Sequence, residues 1–248
     1  MTNPRLGIIG PMTTSLIHSE LAALIDHTLL KPEASATDID RLCAEAIEHR
    51  FHCVCVHGSR VARAYARLED SGVLVAAVVG FPLGAMDGDV KRYETEVAVD
   101  LGADEIDMVL NIGKLKEGDS KAVFREIRDV VEAAEERPVK VILEACLLTD
   151  DEIGEACQVA VEAGAKFVKT STGFGTHGAT VKHVQMMREA VGPKIGVKAS
   201  GGIRDLEAMR AMIEAGATRI GTSSGVAILK GLPKPNPGHA RLNPPFRS

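Results

Sequence analysis

The sequence predicts a single α/β domain folded as a (β/α)8 TIM barrel, and three observations support this prediction. Short apolar segments alternate about eight times with longer segments of helical periodicity. The apolar segments are rich in Val and Ile, as expected of parallel strands that are covered by helices. The length of 248 residues is also close to the ~250 residues that are usual for this barrel.

The eight apolar segments are the predicted strands, and helical patterns fill the gaps between them. The strands are predicted at 25–30, 51–57, 73–80, 105–110, 140–145, 166–171, 194–200 and 219–224. Two clear helical patterns run over 37–50 and 119–137, where apolar side chains recur every three or four residues. We predict that Thr37 and Asp40 form a capping box at the start of the first, with Asp replacing the usual Glu.

An internal repeat marks the junctions between helix and strand. The segments LGADEID, AGAKFVK and AGATRIG each combine a helix end, a glycine and the start of a strand. Gly102, Gly164 and Gly216 are therefore predicted to take the left-handed conformation that ends a helix. A doubly wound open sheet is the alternative fold, but the G-x-G-x-x-G fingerprint that favours it does not follow the first strand.

The barrel pattern occupies residues 15–230, which we predict to be one catalytic domain. Residues 1–14 form an N-terminal extension outside the pattern. The tail from 231 to 248 has five prolines and little apolar content, so we predict that it is flexible.

Composition excludes several classes of partner. The net charge is −5, with acids and bases interleaved, and aromatic residues make up 3%, which argues against nucleic-acid binding. The longest apolar stretch, 73–86, is interrupted by glycine and proline and is shorter than the ~20 residues of a membrane span. We therefore expect no membrane association and a cytoplasmic location. A homodimer or a higher homo-oligomer stays open, because exposed helix faces look alike in monomers and oligomers.

The cysteines and histidines near the second strand resemble a metal site. On one strand, however, neighbours on the same face stand about 6.6 Å apart, so four ligands within about 2.3 Å of a zinc ion cannot converge there. We predict no metal in this cluster, and we expect Cys55 and His57 to line the mouth of the barrel. The five cysteines of the chain are expected to be reduced. The cluster consists of His49, His52, Cys53, Cys55 and His57.

Alternation along the strands sends three charged side chains into the barrel. If Met108 and Val168 face the helices, Asp107 and Lys169 face the interior. The same rule directs Lys198 inward. Lys140 opens its strand, so we predict that it is a surface charge at the bottom of the barrel.

Two ammonium groups in one interior repel each other. At about 6 Å and an effective dielectric near 20, the repulsion is roughly 3 kcal/mol, or about two pKa units. Together with desolvation, this repulsion would make one lysine a competent neutral nucleophile. The alternative is a structural role, in which both lysines form salt bridges with Asp107 and Glu144.

Glycine-rich loops follow the last strands and are predicted to bind phosphate. SGGIRD (200–205) and GTSSG (221–225) each lead into a helix, where backbone N–H groups attract anions. Barrel enzymes often hold a phosphate on these two loops. The segment STGFGTHG (171–178) follows Lys169 and is predicted to close over the substrate.

Six segments resemble the deoxyribose-phosphate aldolase family: DHTLLKP, ADEIDMVLNIG, KVILE, FVKTSTGF, GVKASGGIR and GTSSG. They occur in order over about 200 residues. The resemblance implies a class I aldolase on a barrel fold that needs no metal and no cofactor. Its substrate would be a small phosphorylated sugar, because the family joins acetaldehyde and D-glyceraldehyde 3-phosphate reversibly to give 2-deoxy-D-ribose 5-phosphate.

The resemblance also implies roles for individual residues. Lys169 would form the Schiff base, Lys198 would lower its pKa, and Asp107 would shuttle protons. The residues implied around the substrate are Asp26, Thr28, Cys55, Thr172, Gly173, Gly201, Gly202, Arg204, Gly221, Ser223 and Ser224.

One feature of the chain departs from part of the family. Some members place a C-terminal tyrosine in the active site, but this tail has none. Two other functions stay open, namely another Schiff-base aldolase acting on a different phosphosugar and a non-catalytic phosphosugar-binding barrel.

Overall fold

The computed structural model describes residues 14–232, and within them eight parallel strands close into a barrel in sequence order. Each strand pairs with the next, and β8 pairs with β1. The predicted TIM barrel is confirmed. The strands are β1 (Ile25–Thr28), β2 (Cys53–His57), β3 (Leu74–Val79), β4 (Glu105–Val109), β5 (Val139–Ile142), β6 (Phe167–Lys169), β7 (Gly196–Ser200) and β8 (Arg219–Thr222).

Helices surround the barrel and occupy every connection between consecutive strands. The predicted extension is described only at Thr14, where the first helix begins, and the predicted tail only at Gly231 and Leu232; the rest of both segments lies outside the described residues. The helices are α1 (Thr14–Ala22), α2 (Ala36–His49), α3 (Val61–Leu68), α4 (Gly88–Asp100), α5 (Ile112–Lys116), α6 (Ser120–Ala133), α7 (Asp150–Glu162), α8 (Val181–Val191), α9 (Leu206–Glu214) and α10 (Gly225–Lys230).

The start of α2 differs from the sequence prediction. The capping box consists of Ser35, whose hydroxyl accepts from the N–H of Asp38, and of the Asp38 carboxylate, which accepts from the N–H of Ser35 at 2.9 Å. The predicted box of Thr37 and Asp40 is wrong, because the Asp40 carboxylate instead accepts from Arg63 of the neighbouring helix α3. Ser35 at the cap, followed three residues later by an acid, gives the expected signature two residues earlier than predicted.

The predicted glycine stops are confirmed. Gly102, Gly164 and Gly216 have φ values of 100°, 95° and 110°, a conformation in which a Cβ would be strained. At each position the chain turns from a helix directly into the next strand.

Two apolar cores lie on the two faces of the barrel wall. The larger core packs the outward strand residues, including Met108 and Val168, against the helices. The smaller one lies inside the barrel beside β2 and β3 and includes Cys55 and Val78. The rest of the interior, on the side of β4 to β8 and continuing to β1, holds charged residues, so the barrel is apolar on one side and ionic on the other.

All five cysteines lie in the described part of the chain and are free thiols. Cys43 on α2 and Cys157 on α7 are buried in the outer core. Within residues 14–232 the helices are all too short or too polar to cross a membrane.

Candidate active site

A carboxylate lies at the centre of the ionic side of the barrel. The Oδ2 atom of Asp107 on β4 is 2.7 Å from the Nζ atom of Lys169 on β6 and 2.7 Å from the Nζ atom of Lys198 on β7. Its Oδ1 atom accepts from Lys140 on β5 at 2.6 Å. One carboxylate therefore bridges three ammonium groups, and Asp107, Lys169 and Lys198 point inward as strand alternation predicted.

The position predicted for Lys140 is wrong. Its side chain is completely buried and lies in the barrel interior, where it also contacts Glu105 Oε2 at 2.7 Å. Lys140 is paired with Asp107 in the β4–β5 register, so both side chains point to the same face of the sheet. An ammonium group at the start of a strand can stay in a filled barrel interior when carboxylates surround it.

A second set of ion pairs lies around the first. Lys198 Nζ is 2.5 Å from Asp26 Oδ2, and Arg219 Nη1 is 3.0 Å from Asp26 Oδ1. Arg219 also lies 3.2 Å from Glu105 Oε2, and this carboxylate faces His52 at 3.4 Å. The strands on the ionic side are thus linked to one another through side-chain charges.

These contacts shift the pKa values of the buried groups. Burial alone would raise the pKa of Asp107, but Lys140, Lys169 and Lys198 hold it well below its usual range. Burial would lower the pKa of Lys198, but Asp107 and Asp26 raise it well above its ordinary value. Asp107 is therefore ionised and Lys198 charged at neutral pH.

Lys169 contacts fewer carboxylates than the other buried cations in the barrel interior. Every other cation of the network contacts two carboxylates, whereas Lys169 contacts Asp107 alone among the described residues. The network therefore holds four cations and three carboxylates. The sequence predicted bare repulsion between two lysines, but Asp107 lies between them and attracts both. The network consists of Lys140, Lys169, Lys198, Arg219, Asp26, Glu105 and Asp107.

A cavity of about 290 Å³ opens above this network at the carboxyl ends of the strands. Lys169 lines it, whereas Asp107 and Lys198 do not. Asp26 and Cys55, which were expected beside the substrate, are fully buried and also lie outside the lining. The expected substrate residues that do line the cavity are Thr28, Thr172, Gly173, Gly201, Gly202, Arg204, Gly221 and Ser223.

The predicted position of Cys55 at the mouth is wrong. The thiol points into the interior, with its Sγ atom 3.9 Å from Asp107 Oδ2, and burial together with Asp107 raises its pKa. His57 contacts the carbonyl oxygen of Leu30 at 2.9 Å. Ser224, expected among the phosphate residues, donates its N–H to Thr222 Oγ1 at 2.9 Å and does not line the cavity.

Positive φ values and close backbone packing explain why the loops after β6 and β7 contain glycine. Gly201 and Gly202 have φ values of 86° and 80°, and a Cβ on Gly178 would lie 2.1 Å from the carbonyl oxygen of Gly201. The loop after β6 therefore packs directly on the loop after β7. Thr172 in the former is fixed by a hydroxyl contact to the Glu144 carboxylate.

Several residues of the cavity lining were missed by the sequence reasoning. Ser200 has the same strand parity as Lys198, so the alternation rule could have found it. Phe174 and Lys31 come from loops, where no periodicity shows which way a side chain points. Leu29, Leu30 and Lys31 lie outside the three glycine-rich segments predicted at the substrate, whereas Phe174, Ser200, Ile203 and Thr222 lie within those segments but were not assigned individually.

One buried trio has the spacing of metal ligands. The ligand atoms of Asp26, Cys53 and Glu105 lie within 4.8 Å of one another. However, Lys198 and Arg219 already pair with these carboxylates, and burial holds the pKa of the Cys53 thiol well above its usual range. A metal ion there would have to displace ammonium and guanidinium groups, so the donor set does not fit a metal.

Comparisons with known proteins show the family to which this chain belongs. The sequence model of the DeoC/LacD aldolase family matches residues 21–231. A deoxyribose-phosphate aldolase of Exiguobacterium sibiricum is 58% identical over 212 residues, covering 85% of this chain and 96% of the relative. A deoxyribose-phosphate aldolase of Streptococcus uberis is 59% identical over 207 residues, covering 84% of this chain and 94% of the relative. The tetrameric structure of deoxyribose phosphate aldolase from Aeropyrum pernix matches with a TM-score of 0.80 and 36% identity. The match covers 88% of this chain and 94% of the Aeropyrum pernix chain. The chain belongs to the DeoC/LacD family of aldolases.

Proposed function

We propose that this chain cleaves 2-deoxy-D-ribose 5-phosphate reversibly to D-glyceraldehyde 3-phosphate and acetaldehyde, through a Schiff base on Lys169. The observation that carries the proposal is the position of Lys169. It is the one lysine of the ionic network, among the described residues, that reaches the cavity, and it contacts a single carboxylate. Both properties suit an amine that must lose its proton and meet a carbonyl carbon.

The chemistry proceeds through an iminium ion. The neutral amine of Lys169 attacks C1 of the open-chain sugar, and loss of water forms the iminium. This group accepts the electron pair of the C2–C3 bond as the bond breaks, while the hydroxyl on C3 loses its proton and becomes the aldehyde of glyceraldehyde 3-phosphate. The remaining enamine is protonated on C2 and hydrolysed to acetaldehyde.

Asp107 and Lys198 supply the surroundings for these proton transfers. The Asp107 Oδ2 atom lies 2.7 Å from both amines, a distance at which a proton can be exchanged directly or through one water. Because its neighbours keep the pKa of Asp107 low, the carboxylate passes protons on rather than storing them. Lys198, whose pKa is raised, remains charged and holds Asp107 in place.

The loops after β6, β7 and β8 are proposed to bind the sugar phosphate. Gly201 and Gly202 line the cavity with positive φ values, so their backbone N–H groups are proposed to bind the phosphate, and Arg204 adds a positive charge. Thr28 lies at the same cavity, where its hydroxyl can face the sugar. The remaining cavity-lining members of the proposed substrate site are Thr172, Gly173, Gly221 and Ser223. Asp26, Cys55 and Ser224 lie outside the lining, so any contribution they make is proposed to be indirect, through neighbouring residues.

The relatives also suggest how the protein is organised. Residues 15–230 are proposed to be the catalytic domain, acting in the cytoplasm without a cofactor. Because the related Aeropyrum pernix aldolase is tetrameric, we propose that this chain also forms a homo-oligomer.

Replacement of the nucleophile tests the proposal. We expect Lys169→Met to lower kcat for 2-deoxyribose 5-phosphate by at least roughly 1000-fold, because methionine fills the same space but cannot form an imine. The exposed Lys194, which lies outside the cavity, provides the matched control Lys194→Met. Glyceraldehyde 3-phosphate release is followed by coupled NADH oxidation, and circular dichroism checks folding.

The outcomes separate the rival functions. Activity of Lys169→Met within about tenfold of the unsubstituted chain would show that another group carries the chemistry. Another Schiff-base aldolase would be indicated by two results together. Lys169→Met would lose turnover, and the unsubstituted chain would cleave a different phosphosugar faster than 2-deoxyribose 5-phosphate. Binding of phosphosugars without turnover would indicate a binding protein.

A further inference from the structure

The cavity rim carries a lysine that has no role in the site described above. Lys31 follows β1, is exposed, and lines the same cavity as Lys169, Arg204 and the glycine loop at Gly201. Within residues 14–232 its ammonium group has no ion pair and no hydrogen bond, whereas the cations of the interior network are all paired with carboxylates. An unpaired charge at a cavity is available to a ligand.

The backbone that carries Lys31 is held firmly on both sides. Before it, Leu29 donates its N–H to the carbonyl of Cys55 at 3.0 Å, and the side chain of Leu30 is buried in the inner core. After it, the carbonyl of Ala34 accepts from Arg60 at 2.8 Å. The peptide is therefore fixed while the side chain of Lys31 remains free, an arrangement that presents a charge without first breaking another contact.

The position of this loop in the barrel indicates which part of a ligand Lys31 meets. β1 pairs directly with β8, so the loop after β1 lies beside the loop that contributes Ser223 to the cavity. The neighbouring acid Glu33 does not line the cavity. Lys31 therefore lies at the part of the cavity proposed to hold the phosphate. Arg204 is the second cation of the lining that has no ion pair within residues 14–232.

We infer that Lys31 is a specificity-determining residue that binds the phosphate group of the substrate and selects phosphorylated over unphosphorylated sugars. This inference rests on the proposed function. The side chain acts on binding alone, since the carbonyl end of the sugar must reach Lys169 at the base of the same cavity. A hydrogen bond between charged groups of this kind changes affinity roughly tenfold to a hundredfold.

The test compares two sugars in matched variants. Lys31→Met and Lys31→Glu are compared with Lys194→Met and Lys194→Glu, which make the same changes at an exposed lysine away from the cavity. The quantity measured is the ratio of kcat/KM for 2-deoxyribose 5-phosphate to that for 2-deoxyribose. We expect the ratio to fall roughly tenfold to a hundredfold in Lys31→Met, further in Lys31→Glu, and to stay unchanged in the controls, with the loss residing in KM.

An unchanged ratio in both Lys31 variants would overturn the inference, as would an equal loss on the two sugars. If the unsubstituted chain cleaves neither sugar, the proposed function fails instead. In that case titration calorimetry with inorganic phosphate still decides the role of Lys31. Weaker phosphate binding by Lys31→Met than by Lys194→Met supports the inference, and equal binding overturns it.

Discussion

Two clusters of buried charge lie on opposite faces of the barrel wall, and their pKa values shift in opposite directions. Inside the barrel, the pKa of Asp107 is lowered and that of Lys198 is raised. Outside it, Lys91 on α4 and Glu126 on α6 form a pair at 2.7 Å. There burial lowers the pKa of the lysine and raises that of the glutamate.

The number of partners explains the difference. Asp107 contacts three ammonium groups, and Lys198 contacts two carboxylates. Lys91 contacts one carboxylate, and its other bonds go to the carbonyl oxygens of Gly84 and Val109. Each buried charged group loses its hydration once, whereas its electrostatic attraction increases with each oppositely charged partner. A connected network therefore keeps its charges, whereas an isolated pair is pushed toward the neutral forms.

The two clusters also serve different purposes. The interior network holds Lys169 against a fixed carboxylate beneath the cavity. The outer pair joins loops, because Lys91 ties the segment after β3 to the end of β4, and Glu126 accepts the N–H of Asn111 at 3.1 Å. The proposed catalysis thus depends on the cluster in which the ionised forms are favoured.

Removing the central carboxylate should have the largest effect. Asp107→Asn leaves three ammonium groups without their shared counter-ion, so we expect a loss in the free energy of unfolding of about 3–5 kcal/mol or more. We expect kcat to fall at least about 100-fold, because the proton relay is lost. Urea denaturation and steady-state kinetics measure the two effects. If the free energy of unfolding of Asp107→Asn stayed within about 1 kcal/mol of that of the unsubstituted chain, Asp107 would not be the shared counter-ion of the network. Changes of that size can come from surface substitutions alone.

The outer pair should be more tolerant of a neutral replacement. Lys91→Met leaves a buried carboxylate unpaired and is expected to cost about 3 kcal/mol. The double variant Lys91→Met/Glu126→Gln leaves no buried charge without a partner, so part of the lost free energy of unfolding should be recovered. The remaining loss, about 1–3 kcal/mol, reflects the carbonyl oxygens of Gly84 and Val109 that lose their hydrogen bonds to Lys91. A double-mutant cycle in urea measures the coupling between the two sites. Strictly additive losses would show that Lys91 and Glu126 do not interact.

The smallest effect is expected from pH. The folded-state pKa values of Asp26, Glu105 and Asp107 are lowered, so their stabilisation is complete above the ordinary carboxyl values and is lost as the pH falls through the folded values. Below the ordinary aspartate value of 3.8, stability should therefore decline more steeply in the unsubstituted chain than in Asp107→Asn. Urea unfolding between about pH 6 and 2 measures the slopes. Equal slopes would contradict the shift assigned to Asp107.

Much of the fold and part of the site followed from periodicity. Alternation of strand and helix predicted the barrel, and period two placed Asp107, Lys169 and Lys198 in one interior. The same rule would have turned Lys140 inward as well. The prediction failed because a lysine at the start of a strand was treated as a surface charge, although the interior of a small barrel is filled along its length.

Other features depend on contacts that no local pattern contains. The pairing of Lys91 with Glu126 joins two helices 35 positions apart. The exposure of Lys31 to the cavity depends on how the loops after β8 and β1 fold beside each other. Glu144, proposed from the sequence as a partner for the lysines, instead binds Thr172 in the loop after β6.

Lys169 is proposed to form the covalent intermediate. The direct test is reduction with sodium borohydride in the presence of acetaldehyde, followed by peptide mass spectrometry of the unsubstituted chain and of Lys169→Met. We expect one ethyl adduct, located on Lys169 and missing in the variant. An adduct on Lys198 or Lys140 instead, or no adduct in a chain that still cleaves the sugar phosphate, would contradict it.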